Sequence, residues 1–281
     1  MSIKVVIATH KEYDMPDDQM YLPLQVGKVY SSQDLYTGDN TGDNISRKNP
    51  NYCELTAMYW AWKNLDADYI GLAHYRRHFC ADRIFLGPTK DKKHKILTNE
   101  KAEELLSHYD AILPKKRHYW IETLASHYNH SHYSRDLEAT RRIIADFCPA
   151  YLPAFDLVMN RRSAHMFNMM IMRKDLFHVY SRWLFNILFR LEKRIDISGY
   201  SAYEARVFGF ISELLLDVWL TVNSVHYVEM PVMFMEKQNW PRKIFGFLKN
   251  KFTTNHEDPA DTERIPKQKK AVEAYKFNNM Q

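Results

Sequence analysis

Residues 49–79, NPNYCELTAMYWAWKNLDADYIGLAHYRRHF, read as a helix, a tight turn, a buried strand and then an abrupt cluster of His, Tyr and Arg. Asn51 stands where a helix cap belongs, and Glu54 follows three residues on, the spacing of a capping box. Leu55, Met58, Tyr59 and Trp62 recur at helical spacing and make one apolar face. The helix is expected to stop near Asn64, because Asp66 and Asp68 favour turns. Tyr69, Ile70, Leu72 and Ala73 then form a short apolar run suited to a strand covered on both faces. Where that strand ends, the chain becomes His74, Tyr75, Arg76, Arg77 and His78.

Open α/β sheets bind ligands just beyond the carboxyl ends of their strands. Two adjacent arginines and two histidines at such an end offer several donors to a phosphate or a carboxylate. The plainer reading makes Arg76 and Arg77 the start of a solvated loop; the interleaved Tyr75 and His78 weigh against it. Residues 3–8 are an apolar, β-branched run, the expected first strand of a parallel sheet. It ends in Thr9, His10 and Lys11, again polar groups at a carboxyl end. The chain contains neither GxGxxG nor GxxxxGK[ST], so a dinucleotide fingerprint and a P-loop are both unsupported. Residues 109–114 make another strand, closed by Pro114 and followed by Lys115, Lys116 and Arg117. Two apolar strands with basic ends point to one shared anion pocket.

Composition narrows the class. The 281 residues suffice for one large α/β domain or two small ones, and 46% apolar content with only 8 glycines fits a packed protein. The formal charge of +5 permits an anionic ligand or membrane surface. No zinc-finger spacing, RNA-recognition signature or long basic arm argues for nucleic acid. Three cysteines without metal-type spacing read as reduced cytosolic residues. No segment approaches the length of a membrane span, and the N-terminus lacks the apolar core of a signal peptide. The expected location is therefore the cytoplasm, with peripheral membrane contact open.

Elsewhere the signals are weaker. Pro23 argues against a regular central strand over residues 20–29. Gly38-Asp39-Asn40 and Gly42-Asp43-Asn44 repeat a turn tripeptide. Plain turn chemistry accounts for Asp39, whereas Asp43 and Asn44 are candidate ligands. Residues 81–100 read as a polar, basic loop and 103–108 as a short helix. His127, His130 and His132 suggest a metal, but no acidic or cysteine partner lies at suitable local spacing. Hydroxyl binding or a structural role suits them as well. Residues 136–147 form an amphipathic helix, and the methionine-rich run 166–172 a second buried strand interrupted by Asn168. A long helix starts at Asp175, and residues 203–223 form another, which Gly209 is expected to break. Glu213 then either caps the second half or serves as a catalytic base. Residues 227–235, with Pro231, are a last apolar segment. Residues 240–252, WPRKIFGFLKNKF, fit an amphipathic surface helix or one packed on the domain. Beyond residue 253 the charged, proline-broken composition suggests poor order.

NISRKNPNYCELTAMYWAWKN, YIGLAHYRRHF, YDAILPK, FNMMIMRKDLFHVYSRWLF and RVFGFISELLLDVWL together resemble a domain first catalogued as uncharacterised in bacterial capsule and exopolysaccharide gene clusters. Members look like glycosyltransferases, and characterised relatives are similar to galactofuranosyltransferases that use UDP-galactofuranose. The resemblance implies a single Rossmann-like nucleotide-sugar domain of GT-A type over residues 1–235, with helical C-terminal additions. Residues 236–281 would be a basic amphipathic segment and polar tail. It further implies inversion at the anomeric carbon, a UDP-sugar donor and a lipid-linked oligosaccharide acceptor at the inner face of the cell membrane. No nucleic acid is expected.

Enzymes of this architecture commonly hold a divalent metal with Asp-x-Asp after a central strand. Here Asp66-Ala67-Asp68 precedes the strand, and His74-Tyr75-Arg76-Arg77 follows it. Metal-independent transfer is therefore expected, a divalent cation remaining open, with Arg76, Arg77 and Lys115 on the diphosphate. Thr9, His10 and Lys11 would line the uridine or phosphate side, and Asp43, Asn44 and Glu54 the sugar hydroxyls. The base of such enzymes commonly lies near the start of a late helix, which nominates Glu213, then Asp217. Two alternatives stand beside this: a UDP-pyranose donor, or a non-catalytic protein binding glycan or lipid diphosphate through its basic patches.

Overall fold

The structure is a computed structural model that describes residues 1–82 and 92–236. In chain order the strands and helices begin with β1 (Ile3–Thr9), β2 (Tyr21–Gln25), β3 (Thr37–Gly38), α1 (Asn49–Tyr52), α2 (Leu55–Asn64), β4 (Tyr69–His74) and β5 (Arg77–Phe79). There follow α3 (Asn99–Leu106), β6 (Ala111–Pro114), β7 (Arg117–His118), α4 (Leu124–Ser131), α5 (Ser134–Phe147) and α6 (Leu152–Met159). The series closes with β8 (Ser163–Ala164), β9 (Met170–Arg173), α7 (Lys174–Arg194), α8 (Val207–Asn223), β10 (Tyr227–Met230) and β11 (Val232–Phe234).

The main sheet runs β10-β6-β9-β4-β1-β2-β3, with β5 on β4 and β11 on β5. β1 pairs in parallel with β2 and β4, whereas β9 is antiparallel to both β4 and β6. The central strands are apolar at nearly every position because both faces are covered. Val6, Ala8, Ile70 and Leu72 face a core built with α2, α5, α6, α7 and α8. Val5, Ile7 and Ala73 face a smaller one closed by α3 and Phe79. Gly71 is required where β4 meets β9, since a Cβ there would lie 2.7 Å from the Met170 carbonyl oxygen.

Several local expectations change. Asn51 and Glu54 form no capping box: Cys53, at φ 52°, breaks the segment into α1 and α2. The Asn51 amide instead donates to the Ala205 carbonyl, and Glu54 accepts from Asn168. Pro23 does lie in a strand, because β3 pairs β2 only at Leu24 and Gln25 and leaves the proline's outer side unpaired. The strand in the methionine run begins only at Met170, after Phe167 and Asn168 take φ of 79° and 51°. Gly209 does not break α8, which runs through it. Asp39 is fully buried rather than an ordinary turn residue: it accepts from the backbone amides of Gly27 and Lys28 and from the Ser46 hydroxyl. Much of the basic loop within 81–100, and the amphipathic segment at 240–252 with its tail, lie outside the described residues.

Candidate active site

The carboxyl ends of β1 and β4, the starts of α1 and α2, β7, α4 and the first turns of α8 enclose a cleft of about 660 Å³. β1 and β4 run in parallel register, Ala8 opposite His74, so their polar ends open on the same side. His10 from one and His74, Tyr75, Arg76 and Arg77 from the other line the cleft, joined by Glu54 and Glu213. The His10 and Tyr75 rings meet edge to face at 5.3 Å. Arg76 lies 5.0 Å from the centre of the Tyr75 ring and pairs with Glu236 at 3.3 Å.

Arg77 sits deeper, its guanidinium 4.9 Å from the Phe167 ring and 5.7 Å from that of Phe234. Burial draws its pKa below the usual arginine value, against the pull of Glu213 and Glu54. His74 packs its Nε2 against the Phe167 carbonyl at 2.8 Å, and burial holds its pKa below that of a free imidazole. That state is neutral, with Nε2–H donating to the carbonyl.

Glu213 faces this group from α8. Among the described residues nothing donates a hydrogen bond to its carboxylate. Burial, seconded by Glu54, pushes its pKa up to about 7, while Arg77, Arg117 and Arg206 hold it back. A carboxyl poised near neutrality beside three guanidinium groups is suited to taking a proton at an anion-binding site. Arg206 is itself held by its Nε–H to Cys53 Sγ at 3.1 Å and rests over the Tyr203 and Phe210 rings.

The opposite wall comes from α4, where the three histidines find carboxylate partners after all. His127 and His130 direct Nδ1 to buried Glu122 at 3.2 and 2.7 Å, and His132 directs Nδ1 to Glu204 at 3.0 Å. Glu122 is close in sequence, yet it precedes the helix rather than sharing its spacing. Among the described residues no group of three or more His, Cys, Asp or Glu is arranged to hold a metal ion.

Other expected residues lie elsewhere. Thr9 is fully buried and donates to the Lys11 carbonyl, while the Lys11 ammonium sits 5.3 Å from the Tyr75 ring, outside the lining. Asp43 and Asn44 are corrected outright, because their loop packs on the far end of α2. The Asp43 amide donates to Asn64, and Tyr59 donates to the Asp43 carboxylate. A helix of ten residues carries that end roughly 15 Å from the cleft. Lys115 continues the β6 ladder through its backbone amide to Met230 and does not line the cleft; Arg117, two residues on, does. Asp217 is also corrected: it is buried, and both its oxygens are engaged by His165. Arg117 and Arg206 line the cleft without having been nominated, and so do His127 and His132, which the sequence offers for metal or hydroxyl binding. Arg117 had a signal in the basic run after a strand, and Arg206 in its aromatic neighbours.

Among the described residues, the Asp-x-Asp pair of this architecture does not reach the cleft. Asp66 pairs with Lys174 and Asp68 accepts from the Ser2 amide, both at the amino end of β4, away from the cleft. The lining sets Arg76, Arg77, Arg117 and Arg206 against the carboxylates of Glu54 and Glu213. That donor set suits a diphosphate.

Residues 4–224, most of the chain, match the family described as Domain of unknown function (DUF4422). A solved structure, the apo form of the bifunctional glycosyltransferase WbbM, aligns with a TM-score of 0.79 and 35% identity. The alignment covers 84% of this chain and 46% of that one, so the chain spans less than half the length of that relative. No curated protein matches.

Proposed function

We propose, from the premise that the chain belongs to the DUF4422 family, that it is a glycosyltransferase of polysaccharide synthesis, moving a hexose from a nucleotide-sugar donor to a growing glycan. The observation that carries this reading is Glu213, unbonded and poised near neutrality, facing Arg77 at the carboxyl end of the central strand. The donor diphosphate lies against Arg76, Arg77 and the neighbouring Arg117 and Arg206. Glu213 takes the proton of an acceptor hydroxyl while that oxygen attacks the anomeric carbon. The bond to the phosphate oxygen breaks, its electron pair leaves with UDP, and the configuration inverts. The guanidinium groups meet the charge that develops on the leaving group, so a bridging cation is not required.

The donor in this reading is UDP-galactofuranose, and the acceptor is a capsular, exopolysaccharide or O-antigen glycan on a lipid diphosphate at the inner membrane face. No helix among the described residues is long and apolar enough to cross a membrane. Release of UDP from UDP-galactofuranose and from UDP-galactopyranose, with acceptor glycan and with or without EDTA, tests the reading. The furanose is expected to turn over at a rate that chelation leaves unchanged. No UDP release from either donor would reduce the protein to a binding module, and rescue by manganese after EDTA would remove the metal-free mechanism.

A further inference from the structure

Trp120 and Ile121 occupy the turn after β7 and are 81% and 52% exposed, although both are large and apolar. Neighbouring Tyr119 is buried and lines the cleft, as does Arg117, so the turn projects from the cleft's rim. It stands on a fixed base. The Tyr119 amide donates to the Arg162 carbonyl, Glu122 donates back to Tyr119, and Leu124 donates to Arg161. Beneath it the Glu122 carboxylate is held by His127 and His130. Local folding therefore holds the two side chains outward, where water alone gives no reason for them.

The surroundings say what would cover them. Arg117, Arg161 and Arg162 flank the turn; Arg117 is drawn toward Glu213 in the cleft, and Arg161 and Arg162 form no ion pair with a carboxylate among the described residues. Arg162 donates to the Trp120 carbonyl at 3.4 Å and Arg161 to the Thr221 hydroxyl. One side of the Trp120 ring is already stacked by exposed His118, with centroids 5.7 Å apart. An indole with a polar edge, an isoleucine and a collar of arginines match the boundary between headgroups and acyl chains of an anionic leaflet.

We propose that the Trp120–Ile121 turn is a membrane-docking tip that seats the rim of the cleft on an anionic phospholipid surface. It stands on the turn's own geometry, independently of the transfer reaction. Its position puts a membrane-bound acceptor next to Arg117 and Tyr119 without the segment at 240–252.

Flotation of the full chain with phosphatidylcholine vesicles, with and without phosphatidylglycerol, tests it. The parent is expected to float with the anionic vesicles only, and less as salt shortens the Debye length. W120S/I121S should weaken that binding roughly tenfold, with UDP affinity and the unfolding midpoint unchanged. R161Q/R162Q should flatten the salt dependence. Three results would overturn the proposal: a parent that fails to bind, a W120S/I121S protein that floats like the parent, or a W120S/I121S protein that loses turnover on a soluble acceptor without vesicles. The last would mark the turn as a glycan contact.

Discussion

Two successive turns of α8 carry a carboxylate each, and they are treated in opposite ways. Glu213 opens on the cleft with no hydrogen-bond donor among the described residues and a pKa pushed up to about 7 by burial. Asp217, one turn on, accepts from the His165 backbone amide at 2.7 Å and from its Nδ1 at 2.9 Å. His165 reaches on to Glu229 through Nε2 at 3.1 Å. One carboxylate is left wanting a proton; the other is spent on holding the helix to the sheet. Position on a late helix nominates both, and only the satisfaction of their lone pairs separates them.

The sharpest test of that contrast is Glu213→Gln, which keeps the shape and removes the base. Turnover should fall by roughly 10²–10⁴ with UDP affinity retained, measured as UDP release and by titration of the nucleotide. In the parent, kcat/KM should decline on the acid side near pH 7, where Glu213 gains its proton. Near-normal turnover in the variant would place the base elsewhere.

Asp217→Ala should act on stability instead. It takes one of two carboxylate partners from a fully buried imidazole, and a cost of about 3 kcal/mol in urea unfolding at pH 6 is expected. The His165 pKa is raised: burial opposes the charge, but the bonds to Asp217 and Glu229 outweigh it. Its contribution is therefore present below the unfolded value and is lost as pH rises through the folded one, so the penalty should shrink at pH 8. Turnover per folded molecule should stay within about tenfold of the parent's, because Asp217 does not reach the cleft.

A third, smaller effect reverses the usual sign. The raised pKa of Glu213 means that the folded state favours its protonated form. That stabilisation is complete below about 4.5 and is lost as pH rises to about 7. Glu213→Gln should accordingly be more stable than the parent at pH 8 and equal to it near pH 4, measured by urea unfolding at the two pH values. The smallest expected effect belongs to the Asp-x-Asp pair: Asp66→Asn with Asp68→Asn should leave turnover within about twofold, since both face away from the cleft.

What was legible in the chain follows the range of the interaction. β1 and β4 could be read because an unbroken apolar, β-branched run needs only its own residues to declare a covered strand. Their polar ends identified the cleft's floor for the same reason. α2 was readable at its end but not at its start, because Glu54 bonds to Asn168, 114 positions away, instead of capping its own helix. The role of Asp217 turned on His165, 52 positions earlier. Asp43 misled because proximity along the chain to the cleft-lining Asn49 and Pro50 concealed a helix length of separation in space.

Phe167 and Asn168 give the cleft one further property. A bulky residue at φ 79° is held against its preference, and its neighbours supply the restraint. The Phe167 carbonyl receives His74, the Asn168 amide reaches Glu54 and the Gly209 carbonyl, and Ser212 donates to the Asn168 side-chain oxygen. These ties stitch β4, α2 and α8 into one bracket. A ligand entering the cleft thus meets a seat whose arms are already set, and little of its binding energy is diverted into assembling them.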